Sequence, residues 1–166
     1  LTHRNIVSNM EQICCWIRPI LEEGKEKVIT ALPLYHIFSL TVNSLAVLKF
    51  GGENILITNP KDIPGFIKEL GKHKFTLFTG VNTLFNALMN HPDFTKLDLS
   101  SLKVSVAGGM ALQTAVALRW KELTKTSAVE GYGLTETSPV VCCNPIDIHV
   151  RVTSGAVVRF EAEQGL

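Results

Sequence analysis

No stretch of this chain offers the roughly 18 uninterrupted apolar residues that a membrane-spanning helix needs. The longest apolar stretch, Ile37 to Leu48, is broken by Ser39, Thr41, Asn43 and Ser44. A secretory leader is not in evidence either, because Leu1-Thr2-His3-Arg4-Asn5 leads into no apolar h-region. An excess of one charge is also lacking. The formal net charge is +1, which excludes a strong electrostatic pull toward nucleic acid. The one small basic cluster, Lys72-His73-Lys74, reads as a solvated helix end. Cysteine is sparse and wrongly spaced for zinc or redox work: Cys14-Cys15 and Cys142-Cys143 are adjacent pairs, with no C-x-x-C. They read as buried apolar thiols in a reducing compartment. Internal repeats and low-complexity segments are absent as well.

What is present suits a packed core. The 166 residues are 46% apolar and 19% charged, enough for one domain or a piece of a larger one. Ile6, Met10, Ile13 and Ile17 recur at helical spacing, so a helix is expected from Arg4 to Ile17, with Thr2 as N-cap. Lys27 to Leu32 reads as a buried strand, Ile37 to Lys49 as a helix, and Asn54 to Thr58 as a strand. Asp62 can cap a helix that reaches Lys72, although Gly65 weakens it. Phe75 to Thr79, Leu102 to Ala107 and Ser127 to Glu130 complete the strands, with helices at Val81 to Asn90 and Leu112 to Leu123 between them. Such alternation predicts an α/β fold: right-handed βαβ crossovers and a mostly parallel sheet with helices on both faces.

In open parallel sheets, ligands sit at the carboxyl ends of the strands. Four loops are expected on that rim: Pro33-Leu34-Tyr35-His36, Gly80-Val81-Asn82-Thr83, Gly108-Gly109-Met110, and the string that follows Glu130. The last is the most informative: Glu130-Gly131-Tyr132-Gly133-Leu134-Thr135-Glu136. Its glycines allow close backbone approach and positive φ. The Tyr132 face can stack on a flat heterocycle, the Thr135 hydroxyl can bond a phosphate oxygen, and the Glu136 carboxylate can hold Mg²⁺. Together these point to a nucleotide site. Gly131-x-Gly133 lacks the third glycine of the dinucleotide fingerprint, which is rejected.

Tyr132-Gly133-Leu134-Thr135-Glu136 resembles the core motif of the adenylate-forming enzymes, which include acyl-CoA synthetases, firefly luciferase and peptide-synthetase adenylation domains. Leu1 to Asn5 resembles the segment after that family's phosphate loop, and Pro33 to Phe38 the motif whose histidine borders the acyl pocket. Thr79 to Phe85 resembles the acyl-tunnel segment of bacterial long-chain fatty acid–CoA ligases, and Ala107 to Met110 the adenine-side loop, with Ala111 where proline is common. The resemblance implies nucleotide contacts from Gly108, Gly109, Met110, Glu130, Gly131, Tyr132, Gly133, Leu134 and Thr135. It implies catalytic roles for Thr135 and Glu136, with Glu136 on Mg²⁺. His36, Gly80, Val81 and Thr83 are implied at the acyl pocket. Phe75, Phe78, Val81 and Leu84 are candidates for the tunnel wall, a core position being equally expected for the two phenylalanines.

The implied reaction joins a fatty acid to ATP as an acyl-adenylate, then passes the acyl group to coenzyme A. The implied location is cytoplasmic, with peripheral association at the inner face of the membrane. The chain has no initiator methionine and stops at Gly165-Leu166, so both ends are expected to be cuts in a longer protein. Residues 1–148 are expected to be part of the family's large N-terminal domain, and residues 149–166 a divergent tail whose Ser154-Gly155-Ala156 departs from the family pattern. The phosphate loop would lie before Leu1, and the ribose-binding aspartate and lysine-bearing domain beyond Leu166. The chain alone is therefore expected to be inactive. Two other readings stay open: an adenylate-forming enzyme for an aryl, amino or short acyl substrate, and a non-catalytic remnant that binds nucleotide or acyl chain.

Overall fold

The computed structural model describes residues 1–146. The expected tail, 149–166, lies outside the described residues. The chain begins with α1 (His3–Ile17), whose N-terminus is closed by a reciprocal box. Thr2 Oγ1 accepts from Asn5 N–H at 3.3 Å, and Asn5 Oδ1 accepts from Thr2 N–H at 2.8 Å. Strand β1 (Lys27–Thr30) follows. Next comes a π-helix (Ser39–Leu45) that runs into α2 (Ala46–Lys49), then β2 (Glu53–Leu56) and α3 (Ile63–Leu70). The helix α3 forms despite Gly65 because Asp62 Oδ1 accepts the Gly65 N–H at 3.0 Å. Then come β3 (Leu77–Gly80), α4 (Asn82–Met89), β4 (Val104–Ala107), α5 (Thr114–Thr124), β5 (Ala128–Gly133) and β6 (Val140–Cys143).

The sheet order is β2-β1-β3-β4-β5-β6; the first five strands are parallel and β6 is antiparallel to β5. Alternation along the strands feeds two cores. Val28, Leu77, Val104 and Val129 pack under α1 and α2, with Ile13, Ile17, Val47 and Phe50. Ile29, Phe78 and Ala107 pack under α3, α4 and α5. There Trp120 stacks on Phe78 at 5.4 Å, meets Phe85 edge-on at 4.7 Å, and donates its indole N–H to Ser105 Oγ at 3.0 Å. Phe75 and Leu84 belong to this core, as does Phe78. The chain passes from one face to the other where the strand order reverses, between β1 and β3, the place where a crevice opens in doubly wound sheets.

Three expectations change. Strand β5 was expected to end at Glu130, with Gly131 to Glu136 as a free loop. Instead it continues to Gly133, because the turn brings β6 back to pair with it. The helix after β1 is π-helical over Ser39–Leu45, since its inner side carries Ser39, Thr41 and Asn43, all fully buried. Looser winding leaves carbonyls to be met from outside the helix: the Asn43 carbonyl accepts from Asn54 Nδ2, and Asn43 Nδ2 donates to Thr30 Oγ1 at 3.0 Å and Thr79 Oγ1 at 2.7 Å. The cysteines are free, but only Cys14 is buried as expected; Cys15 is exposed, and Cys142 and Cys143 are half-buried in β6. Lys72 and His73 share Glu69, and Lys74 pairs with Asp98, as befits a solvated helix end.

Candidate functional site

The carboxyl ends of β1, β3, β4 and β5 lie side by side, because these strands are neighbours and parallel. A cleft of ≈ 580 Å³ opens between that rim, the β5–β6 hairpin, α1 and the π-helix. Its floor is apolar: Ile13, Val28, Val47, Phe50 and Leu77. Its mouth is glycine-rich and polar, formed by His36, Gly108, Gly109 and the run Gly131 to Glu136. Tyr132 is 46% exposed at that mouth. His36 is exposed, and its Nδ1 accepts the Phe38 N–H at 3.2 Å. Met110 is exposed beyond the lining, and Glu130 is buried behind it. Gly80, Val81 and Thr83 do not line the cleft; Gly80 is buried and Thr83 faces outward.

The turn between β5 and β6 sorts its side chains. Thr137 Oγ1 accepts from Leu134 N–H at 2.9 Å, and Leu134 N–H also reaches Pro139 O at 3.0 Å. That leaves the Thr135 and Glu136 side chains exposed, with no side-chain hydrogen bond or ion pair among the described residues. Gly133 is required for a reason other than ligand approach, since any side chain there would collide with the Pro139 carbonyl of the returning strand. Gly109 does use glycine's freedom, at φ +77°.

Asn9, which no motif pointed to, holds the hairpin. Its Nδ2 donates to Val140 O at 2.8 Å and its Oδ1 accepts from Val140 N–H at 3.0 Å. The amide thus completes the outer edge of β6 as a strand neighbour would. An Asn on the inward face of an amphipathic helix was the only sequence signal available.

A carboxylate and a hydroxyl that stand side by side without a side-chain partner among the described residues, next to an exposed aromatic ring, suit a phosphorylated heterocycle. Mg²⁺ is commonly bound through one or two carboxylates plus substrate phosphates. Glu136 fits that mode, and among the described residues no three His, Cys, Asp or Glu side chains form a protein-only cage.

An open α/β sheet with a cleft at the carboxyl ends of its strands is a scaffold that commonly binds ligands there. The chain belongs to the AMP-binding enzyme family, which matches over residues 1–163. It is 58% identical over 148 residues to the long-chain-fatty-acid–CoA ligase of Escherichia coli O6:H1, covering 89% of this chain and 26% of that protein. With the Haemophilus influenzae ligase of the same name it shares 52% identity over 150 residues, covering 89% of this chain and 27% of that protein. The chain therefore spans about a quarter of the length of these relatives. The crystal structure of ATP-bound MatB from Rhodopseudomonas palustris matches with a TM-score of 0.76 at 25% identity, over 95% of this chain and 29% of that one.

Proposed function

We propose that this chain forms the nucleotide corner and part of the acyl cleft of a long-chain fatty acid–CoA ligase, with residues 1–148 belonging to its adenylation domain. The observation that carries the reading is the apolar cleft with the exposed Thr135 and Glu136 side chains at its mouth. The 58% identity to a long-chain ligase supports the choice of acid.

In this reading the Tyr132 ring stacks on adenine, between the backbone of Gly131 and Gly133 and the loop Gly108 to Met110. The Thr135 hydroxyl donates to the α-phosphate, and Glu136 holds Mg²⁺. The ion, when bound, supplies positive charge that offsets charge building on the phosphate oxygens. His36 borders the acyl carboxylate, and the apolar floor takes the chain. Positioning and charge neutralisation carry the adenylation step, and no side chain here serves as a nucleophile. Coenzyme A is the second substrate. The reading places the enzyme in the cytoplasm, peripheral at the inner membrane face; among the described residues no helix is long and apolar enough to cross a membrane.

The test is ATP–pyrophosphate exchange driven by a long-chain fatty acid, in a full-length protein carrying this segment. Glu136→Ala is expected to slow exchange about 100-fold, and the isolated 166 residues are expected to support none. Near-normal exchange in the variant removes Glu136 from the metal role. Exchange by the isolated chain contradicts the need for the remaining parts.

A further inference from the structure

The segment after Gly108-Gly109-Met110 is held at two successive amides. Leu112 N–H donates to Glu130 Oε1 at 2.8 Å, and Gln113 N–H donates to Asn82 Oδ1 at 2.9 Å. Both amides lie ahead of α5, which begins at Thr114, so no helical carbonyl is available to them. Leu112 is 1% exposed, and a buried N–H without an acceptor is costly, so Glu130 removes that cost; Gln113 is exposed, and Asn82 ties its amide down beside it.

The acceptors come from opposite sides of the loop. Glu130 lies in β5, two residues before Tyr132, and is 7% exposed. Asn82 opens α4, directly after Gly80-Val81, and is 8% exposed. Neither lines the cleft. Other contacts join the same parts. Ala107 is in register with Glu130, the Glu130 carbonyl accepts Asn144 N–H at 2.9 Å, and a Cβ at Gly109 would lie 3.5 Å from Val81 Cγ1.

We propose that Glu130 and Asn82 are positioning residues that fix the Gly108–Gln113 segment from both sides. They act on nucleotide affinity through that loop rather than by touching the nucleotide. Glu130 is thereby moved from the nucleotide-contact set to the support behind it. The inference rests on the ligase reading above for its kinetic readout, but not for its structural one.

Glu130→Met keeps the length of the side chain and removes the acceptor, whereas Glu130→Gln keeps an acceptor oxygen. In a full-length protein carrying this segment, Glu130→Met is expected to raise KM for ATP about 10-fold with kcat within about threefold, and Glu130→Gln to restore the original KM. Asn82→Leu is expected to raise KM for ATP similarly, and Asn82→Asp to restore it. The double variant should cost less than the product of the two single effects, because both side chains hold one segment. An unchanged KM for ATP in Glu130→Met, or a Gln variant as impaired as the Met variant, overturns the proposal. Amide hydrogen exchange at residues 108–113 reads the latch without activity. Leu112 and Gln113 should exchange as slowly as β4, and Leu112 should lose that protection in Glu130→Met. Exchange at free-loop rates in the unmutated protein overturns the proposal. Absence of fatty acid-dependent exchange of pyrophosphate, with the amide pattern intact, sinks the ligase reading alone.

Discussion

Cys143 shows how far a single residue can depart from its sequence context. It and Cys142 are neighbours in sequence, but strand geometry points adjacent side chains to opposite faces. Cys143 lies opposite Gly131, where the missing side chain leaves room for its sulfur. Burial, helped by the neighbouring Cys142, pushes its thiol up to about 12. Burial also raises the Cys14 thiol, while Cys15 stands exposed on α1. Only the thiolate is nucleophilic, so near pH 8 Cys143 stays almost wholly in its unreactive thiol form. Labelling with iodoacetamide, followed by peptide mass spectrometry, should therefore modify Cys15 ahead of both Cys14 and Cys143. Labelling of Cys143 as fast as Cys15 would mean that β6 does not shield it.

Among the elements, the β5–β6 hairpin decides the geometry of the site. The strands β1, β3 and β4 were legible because buried parallel strands read as short apolar runs, and the helices because their apolar positions repeat. The hairpin was not. Val140 to Cys143 is short, edge-placed and only half-buried, so neither alternation nor a long apolar run marks it. The π-helix escaped for a related reason: its winding answers to Asn54 and Thr79, which are distant in sequence. The placing of Tyr132 to Glu136 at a strand-end cleft was legible, but the contacts made by Asn9, Asn82 and Glu130 join parts that only the fold brings together. Asn9 offers a direct check. Asn9→Leu keeps the branched shape and strips both bonds from Val140, leaving a half-buried N–H and C=O without partners. The expected loss is about 1–3 kcal/mol in urea unfolding, with faster amide exchange at Val140. Equal stability would show that water replaces the amide at that edge.

On the scale of the whole molecule, the two rims of the sheet differ in kind. The carboxyl rim carries the cleft, and the amino rim carries an ion cluster. Glu26, just before β1, is 1% exposed, and its Oε1 accepts from Glu22 N–H at 2.6 Å and from Lys103 Nζ at 2.7 Å. Lys103, just before β4, also reaches Glu22 Oε1 at 3.2 Å. Burial alone would raise the Glu26 carboxyl, but the bonds from Lys103 and the Glu22 amide outweigh it and hold the carboxyl below its ordinary 4.5. Glu22 is held below 4.5 as well, by Lys25 and Lys103. Carboxyls that are more acidic folded than unfolded stabilise the fold above the unfolded value and lose that contribution as pH falls below it. Unfolding midpoints should thus hold steady from neutral pH to about 5 and drop below about 4.5 as these groups take up protons. Glu26→Gln should flatten that drop. Lys103→Met should do the reverse, leaving Glu26 buried without its cation and moving the acid transition to higher pH. Its cost at neutral pH should stay below about 3 kcal/mol, because the Lys103 side chain is 30% exposed and partly screened. An acid transition that is the same in all three proteins would show that the cluster does not couple protonation to folding, and that the amino rim is held by its strand hydrogen bonds alone.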